Sequence, residues 1–241
     1  MATSQNSRRE TEDIAPTAAF LPDQSTDAAS LPTTTVNRLP EYLRALRALA
    51  DDGVETVSSD RLSTDTGVSP ALLRKDLSLL GASGRRGIGY DVTNLTVHLL
   101  NVLGLTRISR VALIGMGHLG QALARYPGFR SRGFHIIGAF DSDPAVVGKR
   151  IPPHTVRDVR ELPEAIDRFQ ITIGVITTPE HAAQRIADML VKGGVTSILN
   201  FAPCLLSVPE GVAVRKVDLA VELQLLSFHE HHKNPETVRQ D

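Results

Sequence analysis

The sequence predicts an α/β protein: an N-terminal winged helix-turn-helix domain, then a Rossmann-type doubly wound parallel sheet, then a C-terminal dimerisation helix. Three observations predict it. A short apolar strand runs into a glycine-rich turn between Arg110 and Gly120, short helices with explicit start and stop residues fill the stretch from Val36 to Tyr90, and the last helix is apolar on more than one side.

Residues 1–35 hold Arg8 and Arg9 against Glu10, Glu12, Asp13, Asp23 and Asp27, amid Thr, Ser, Ala and Pro without apolar periodicity. Such a stretch reads as a disordered N-terminal tail. Residues 36–90 read as the winged-helix domain. A helix over 40–49 places Leu39, Tyr42, Leu43, Leu46 and Leu49 on one face, and Asp51, Asp52 and Gly53 end it. Ser58 or Ser59 caps a second, shorter helix that stops at Gly67. The third begins at Ser69 as N-cap and Pro70 at its first position, and stops at Gly81. Leu73, Leu77 and Leu80 bury one side of it, so Ala71, Arg74, Lys75 and Ser78 face outward.

Helix, short helix, turn and capped helix is the order in which the last helix enters a major groove. The loop that follows, Gly84-Arg85-Arg86-Gly87-Ile88-Gly89-Tyr90, reads as a wing suited to a minor groove. Placement of charge matters more than its sum. The whole chain carries a net charge of −1, and within 36–90 eight basic residues meet seven acids, so no global attraction to DNA exists. Four of those eight, Arg74, Lys75, Arg85 and Arg86, lie on the reading helix and wing. Arg38, Arg74, Lys75, Ser78, Arg85 and Arg86 are therefore the candidate DNA contacts, within a helix-turn-helix region from Tyr42 to Gly81. A plain three-helix interaction module with solvated charges is the alternative.

Residues 91–105 read as an amphipathic linking helix, and residues 106–217 as the dinucleotide-binding domain. Gly115, Gly117 and Gly120 form G-x-G-x-x-G directly after an apolar strand over 111–114 and before a helix over 121–126. The first glycine permits a sharp turn, the second a close approach of backbone to pyrophosphate, and the third tight packing of helix on strand. A second strand over 133–141 ends on Asp141, 21 residues after Gly120, where an acid can bond the adenosine ribose hydroxyls. Ser142 and Asp143 follow, with no Arg or Lys to receive a 2′-phosphate, so the site should prefer NAD over NADP.

Residues 144–153 read as a connection, followed by a helix over 159–169, a strand over 171–177, a helix over 181–192, and strands over 197–201 and 212–217. Ligands of doubly wound sheets lie at the carboxyl ends of the strands. Thr177, Thr178, Pro179, Asn200 and Phe201 stand at such ends, though each Thr or Asn is equally a turn former. With Met116, His118 and Leu119 in the glycine turn, they complete the candidate dinucleotide-binding set.

The final helix, 218–232, is apolar at Leu219, Val221, Leu223, Leu225, Leu226 and Phe228, positions that do not share one stripe. A helix of this kind needs burial on several sides, and a second copy of the chain is the economical partner. Residues 233–241 read as a tail. His229, His231 and His232 lack a Cys or carboxylate companion and suggest no metal. No catalytic residue is assigned: His118 sits toward pyrophosphate, His181 opens a helix, and the lone Cys204 reads as a small buried side chain. The absence of a long apolar run and of a signal-peptide pattern leads us to expect a cytoplasmic protein.

The segments 73–81 and 84–90, Gly115-Met-Gly-His-Leu-Gly120, Tyr126-Pro-Gly-Phe129, Phe140-Asp141, Asn200-Phe-Ala-Pro203 and Val217-Asp218 resemble the redox-sensing transcriptional repressor Rex family, in unbroken order from about Val36 to Phe228. The resemblance implies a homodimer that binds a palindromic operator in double-stranded DNA and releases it when NADH replaces NAD+. It implies DNA contacts at Arg74, Lys75 and Arg86, and places Tyr126 and Asp218 in the dinucleotide-responsive contact between subunits. Some relatives carry Arg where this chain has His118, an aromatic where it has Leu219, and aromatics at Leu79 and Leu80. The other readings of the same residues are an NAD-dependent oxidoreductase with an accessory helical domain, and a CoA- or nucleotide-binding module.

Overall fold

The computed structural model describes residues 31–233, so most of the predicted tail over 1–35 and nearly all of the tail over 233–241 lie outside the described residues. The chain divides between Val102 and Leu103 into two compact units.

In the N-terminal unit, α1 (Thr33–Val36) leads into α2 (Leu39–Asp51), whose Leu39, Tyr42, Leu43, Leu46 and Leu49 are all buried, as their spacing requires. Strand β1 (Thr56–Val57) precedes α3 (Ser59–Thr66), which Ser58 caps by accepting from the Arg61 N–H at 3.1 Å and which Gly67 ends at φ 70°. Helix α4 (Pro70–Leu79) starts as the sequence predicts, with Ser69 accepting from the Leu72 N–H at 3.3 Å. Strand β2 (Tyr90–Asp91) then pairs antiparallel with β1, Val57 opposite Tyr90. This two-stranded sheet, unforeseen in the sequence, anchors the base of the wing.

Helix α5 (Val92–Val102) is shorter than the 91–105 connector and belongs to the N-terminal unit. Its Val92, Leu95 and Leu99 are buried, and His98 Nε2 lies 2.6 Å from the Leu80 carbonyl at the end of α4. The reason is geometric: α2, α3 and α4 leave part of their apolar surface open, and α5 closes it against α2.

In the C-terminal unit a seven-stranded sheet has the order β5-β6-β4-β3-β7-β8-β9. Its strands are β3 (Ser109–Ile114), β4 (Phe134–Asp141), β5 (Arg150–Ile151), β6 (His154–Asp158), β7 (Ile173–Ile176), β8 (Ser197–Asn200) and β9 (Ala213–Lys216). All pair in parallel except the edge strand β5, antiparallel to β6. The stretch read as a plain connection thus holds β5, and β6 fills the gap between that stretch and the helix predicted from 159. Only Val156 of β6 is fully buried, so one apolar residue in a polar run carried too little periodicity to show.

Helices α6 (His118–Ala124), α7 (Pro127–Arg130), α8 (Leu162–Phe169) and α9 (Glu180–Lys192) join the strands. Helix α6 begins three residues before the predicted Gln121, because Gly117 already occupies the N-cap position. A 3-10 turn, Val159–Glu161, closed by a reciprocal cap between Asp158 and Glu161, precedes α8. The last helix, α10 (Leu219–Lys233), has no buried side chain among the described ones, Leu219 to His232. Among the described residues no helix is long and apolar enough to cross a membrane.

Gly89 joins wing to sheet at φ 103°, where a Cβ would overlap the Val57 carbonyl oxygen. Gly89→Ala should cost about 1–3 kcal/mol of stability or force the wing away from β1. Thermal unfolding followed by circular dichroism measures the first outcome, and faster proteolysis at Arg85 or Arg86 the second.

Candidate dinucleotide and DNA sites

The strand order outward from β3 reverses direction between β3 and β7, the crevice where a doubly wound sheet takes its ligand. Each glycine of the turn has its own geometric cause. Gly115 lies at φ 97°, and a Cβ there would stand 2.7 Å from the carbonyl carbon of Thr177. Gly120 faces the Gly115 carbonyl oxygen so closely that any side chain would overlap it. A Cβ on Gly117 would meet nothing within 4 Å, so the space beside its backbone is open to an approaching pyrophosphate.

Side chains lock this turn. Thr177 Oγ1 donates to the Gly115 carbonyl at 2.6 Å, tying the end of β7 to the turn after β3. The Asp141 carboxylate accepts from the Met116 N–H at 2.6 Å and from the Asp143 N–H at 2.9 Å. Each carboxylate oxygen keeps a lone pair for a further donor, such as a ribose hydroxyl.

A cavity of about 450 Å³ opens here, within the range of small-molecule sites, with Gly115, Gly117, Asp141, Thr177, Thr178 and Pro179 in its wall. Thr178 Oγ1 is buried with no hydrogen-bond partner among the described residues, an orphaned polar atom of the sort a bound ligand satisfies. The open Gly117 backbone, the orphaned hydroxyl and the acid at the strand end fit an adenine dinucleotide. Apolar wall residues Val146, Val159 and Ile186 also line the cavity, beside His181. Sequence reasoning missed these three, since a pocket-lining Val or Ile has the same pattern as a core one.

The other candidates lie apart from that cavity's wall. Met116 is fully buried, and His118 and Leu119 are exposed on the first turn of α6. Asn200 is fully buried, and its amide donates to the Cys204 carbonyl at 3.0 Å while its oxygen accepts from the Ala202 N–H, which makes it a builder of the turn after β8. Phe201 packs half-buried against the sheet. Tyr126 is exposed and meets Phe129 edge-on at 5.1 Å, and Asp218 pairs with Lys216 at 3.0 Å. No group of three or more His, Cys, Asp or Glu among the described residues is placed to hold a metal ion.

In the N-terminal unit, α4 buries Leu73, Asp76, Leu77 and Leu80 and exposes Ala71, Arg74, Lys75 and Ser78. Arg74 donates to Ser59 Oγ at 2.9 Å, which steadies it at the start of α3. The wing is a tight hairpin: Arg85 and Gly89 exchange both backbone hydrogen bonds, at 2.7 and 2.9 Å, so Arg86, Gly87 and Ile88 form its tip. Arg85, Arg86 and Ile88 are exposed.

Arg38, the remaining candidate DNA contact, is placed differently from the others. It is turned inward onto Asp76, with Nε to Oδ2 at 2.6 Å and Nη2 to Oδ1 at 2.7 Å, a two-pronged pair. Thr35 Oγ1 and Tyr42 Oη donate to the same carboxylate at 2.9 and 2.7 Å. Burial pushes the Asp76 carboxyl up, but hydrogen bonds from Arg38, Tyr42 and Thr35 outweigh it and hold the group below its ordinary value. Burial and the Asp76 charge push the Tyr42 phenol up to about 12, so both it and Arg38 stay protonated donors.

Comparison with known proteins bears on both sites. Residues 30–78 match the family described as "Putative DNA-binding protein N-terminus", and residues 106–204 match the family described as CoA binding domain. The chain is 53% identical to the redox-sensing transcriptional repressor Rex of Streptomyces griseus subsp. griseus, across 87% of this chain and 83% of that one. It is 45% identical to the Rex repressor of Chloroflexus aurantiacus, across 82% and 93%. The crystal structure of RSP, a Rex-family repressor, in complex with β-NAD+ and operator DNA is similar at a TM-score of 0.80 and 36% identity, covering 85% of this chain and 94% of that one. RSP in complex with β-NADH is similar at 0.76 and 35% identity, covering 85% and 96%.

Gly120→Ala should separate α6 from the turn and lower NADH affinity by about 10-fold or more, equivalent to ~1.4 kcal/mol, read by fluorescence titration. Asp76 yields a pH dependence. Its folded pKa lies below its unfolded one, so its contribution to stability is complete above the ordinary value of 3.8 and is lost as pH falls through the lower folded value. Melting temperatures of the wild type should drop steeply across that window, whereas Asp76→Asn should start lower at neutral pH and change less.

Proposed function

This chain belongs to the Rex family of redox-sensing transcriptional repressors, and we propose that it binds operator DNA when NADH is low and releases it when NADH binds. The observation that carries the reading is the presence, in one chain, of an exposed basic reading helix and wing together with a glycine turn shaped for a dinucleotide at the sheet's crevice. RSP, its solved relative, has been captured with β-NADH and with β-NAD+ plus operator DNA.

Here Gly115, Gly117 and Gly120 take the pyrophosphate, Asp141 the adenosine ribose, and Thr177, Thr178 and Pro179 the wall beside them. Asp141 and Asp143 favour NAD(H), because a phosphate on the adenosine ribose would meet two carboxylates. The same repulsion opposes CoA, which carries such a phosphate, although the matching family is described as CoA binding. Arg74, Lys75, Ser78, Arg85 and Arg86 meet the DNA.

The chain works as a homodimer through α10, whose Leu219, Leu223 and Leu226 are each more than three-fifths exposed in the single chain. Tyr126 and Asp218 join the dinucleotide-responsive contact in that dimer. Two reading helices must meet successive turns of the major groove, so a rotation between subunits abolishes binding without altering any DNA contact. The residues outside the sheet build a DNA-reading unit and an oligomerising helix instead of a substrate domain, which supports a regulator over an enzyme. A repressor acting on chromosomal DNA works in the cytoplasm.

NADH and NAD+ differ by a hydride and one positive charge, and they switch the dimer only through unequal affinity for its two shapes. A mobility shift on a palindromic operator should show retention with NAD+ and loss with NADH. If NADH weakens operator binding ~100-fold, about 2.7 kcal/mol of coupling, the operator must weaken NADH binding by the same factor. Equal NADH affinity with and without operator rejects the switch, and tighter binding of CoA than of NADH rejects the ligand.

A further inference from the structure

We propose that Arg38 is a positioning residue that sets the rotation of the reading helix α4 through Asp76, and that it lends no charge to the DNA interface. The inference rests on the operator-binding reading above. Asp76 lies within the buried stripe of α4, between Leu73 and Leu77, and is 1% exposed. A leucine there would complete an apolar stripe of the ordinary kind. Apolar contact is not directional, so such a stripe leaves the helix free to roll by small angles.

The carboxylate removes that freedom. Its donors come from three places: Thr35 on α1, Arg38 at the entry to α2, and Tyr42 on the first turn of α2. Arg38 is itself held by its backbone, whose carbonyl accepts from the Glu41 and Tyr42 N–H groups at 3.0 and 3.2 Å. Both carboxylate oxygens are engaged in a fork with one guanidinium, a geometry that specifies direction as well as distance.

The consequence falls on the opposite face. Side chains of a helix end roughly 5–6 Å from its axis, so a roll of about 20° would carry the Arg74, Lys75 and Ser78 tips by roughly 2 Å. That displacement breaks a hydrogen bond to a base edge while it leaves attraction to phosphates nearly intact. Loss of the network should therefore lower discrimination between operator and other DNA. Arg38 is only 26% exposed at its side chain, in keeping with an inward role.

The test uses the full chain and measures binding to a palindromic operator and to a scrambled duplex over a salt series, for wild type, Arg38→Gln, Asp76→Asn and Tyr42→Phe. Arg38→Gln and Asp76→Asn should each lower the operator-to-scrambled affinity ratio by about 10-fold or more, with the salt slope unchanged. Tyr42→Phe, which removes one donor and keeps the ion pair, should shift the ratio in the same direction by less. A salt slope shallower by about 0.9 in Arg38→Gln would identify a phosphate contact and overturn the proposal. So would Asp76→Asn tightening both duplexes alike, as loss of an acid near DNA does by charge alone. Merely structural damage lowers both affinities together and leaves the ratio at its wild-type value, which also overturns it. Tyr42→Phe with a wild-type melting temperature and a wild-type ratio does the same. A wild-type chain with no preference for any palindrome removes the operator reading itself, and the positioning role with it.

Discussion

The C-terminal unit depends on two backbone approaches that no side chain could share. Gly120 closes onto the carbonyl of Gly115, and Gly115 closes onto the end of β7 at Thr177. Together they seat α6 against β3 with its first turn at the mouth of the crevice. Thr177 and Asp141 then lock the turn from either side, the Thr177 hydroxyl donating to the Gly115 carbonyl and the Asp141 carboxylate accepting from the Met116 N–H. The open face at Gly117 and the unsatisfied Thr178 hydroxyl exist because everything around them is fixed this tightly.

The N-terminal unit is held differently. Its core of leucines is set by helical spacing, which fixes which faces are inside but not the fine rotation of each helix. A single buried carboxylate supplies what the leucines cannot, at the cost of removing an ion pair from water. The retention of such a pair beneath a helix that has to present four outward residues in register is consistent with a role in specificity.

Much of this was legible from residue order. Capping serines, helix-ending glycines and leucine spacing located α2, α3 and α4 of the N-terminal unit, because each of those signals is local. The glycine turn and its distant Asp141 were legible because their spacing is imposed by one strand, one helix and the next strand. Strand β6 was not, since only Val156 points fully inward and its pairing with β4 is a long-range event. Nor were the apolar cavity residues Val146, Val159 and Ile186, or the fate of Asn200, whose amide closes its own turn.

Residue order alone was enough to establish the kinds of element, their succession and the two chemistries they serve, because turn glycines, caps and periodic leucines act over a few positions. Folding in three dimensions settled which charges remain available. Arg38 and Arg86 look alike as letters, yet one closes over a buried carboxylate contributed 38 residues later and the other stands at the tip of a hairpin. A side chain's partners are chosen by what packing brings within 3 Å of it, and that distance has no counterpart along the chain.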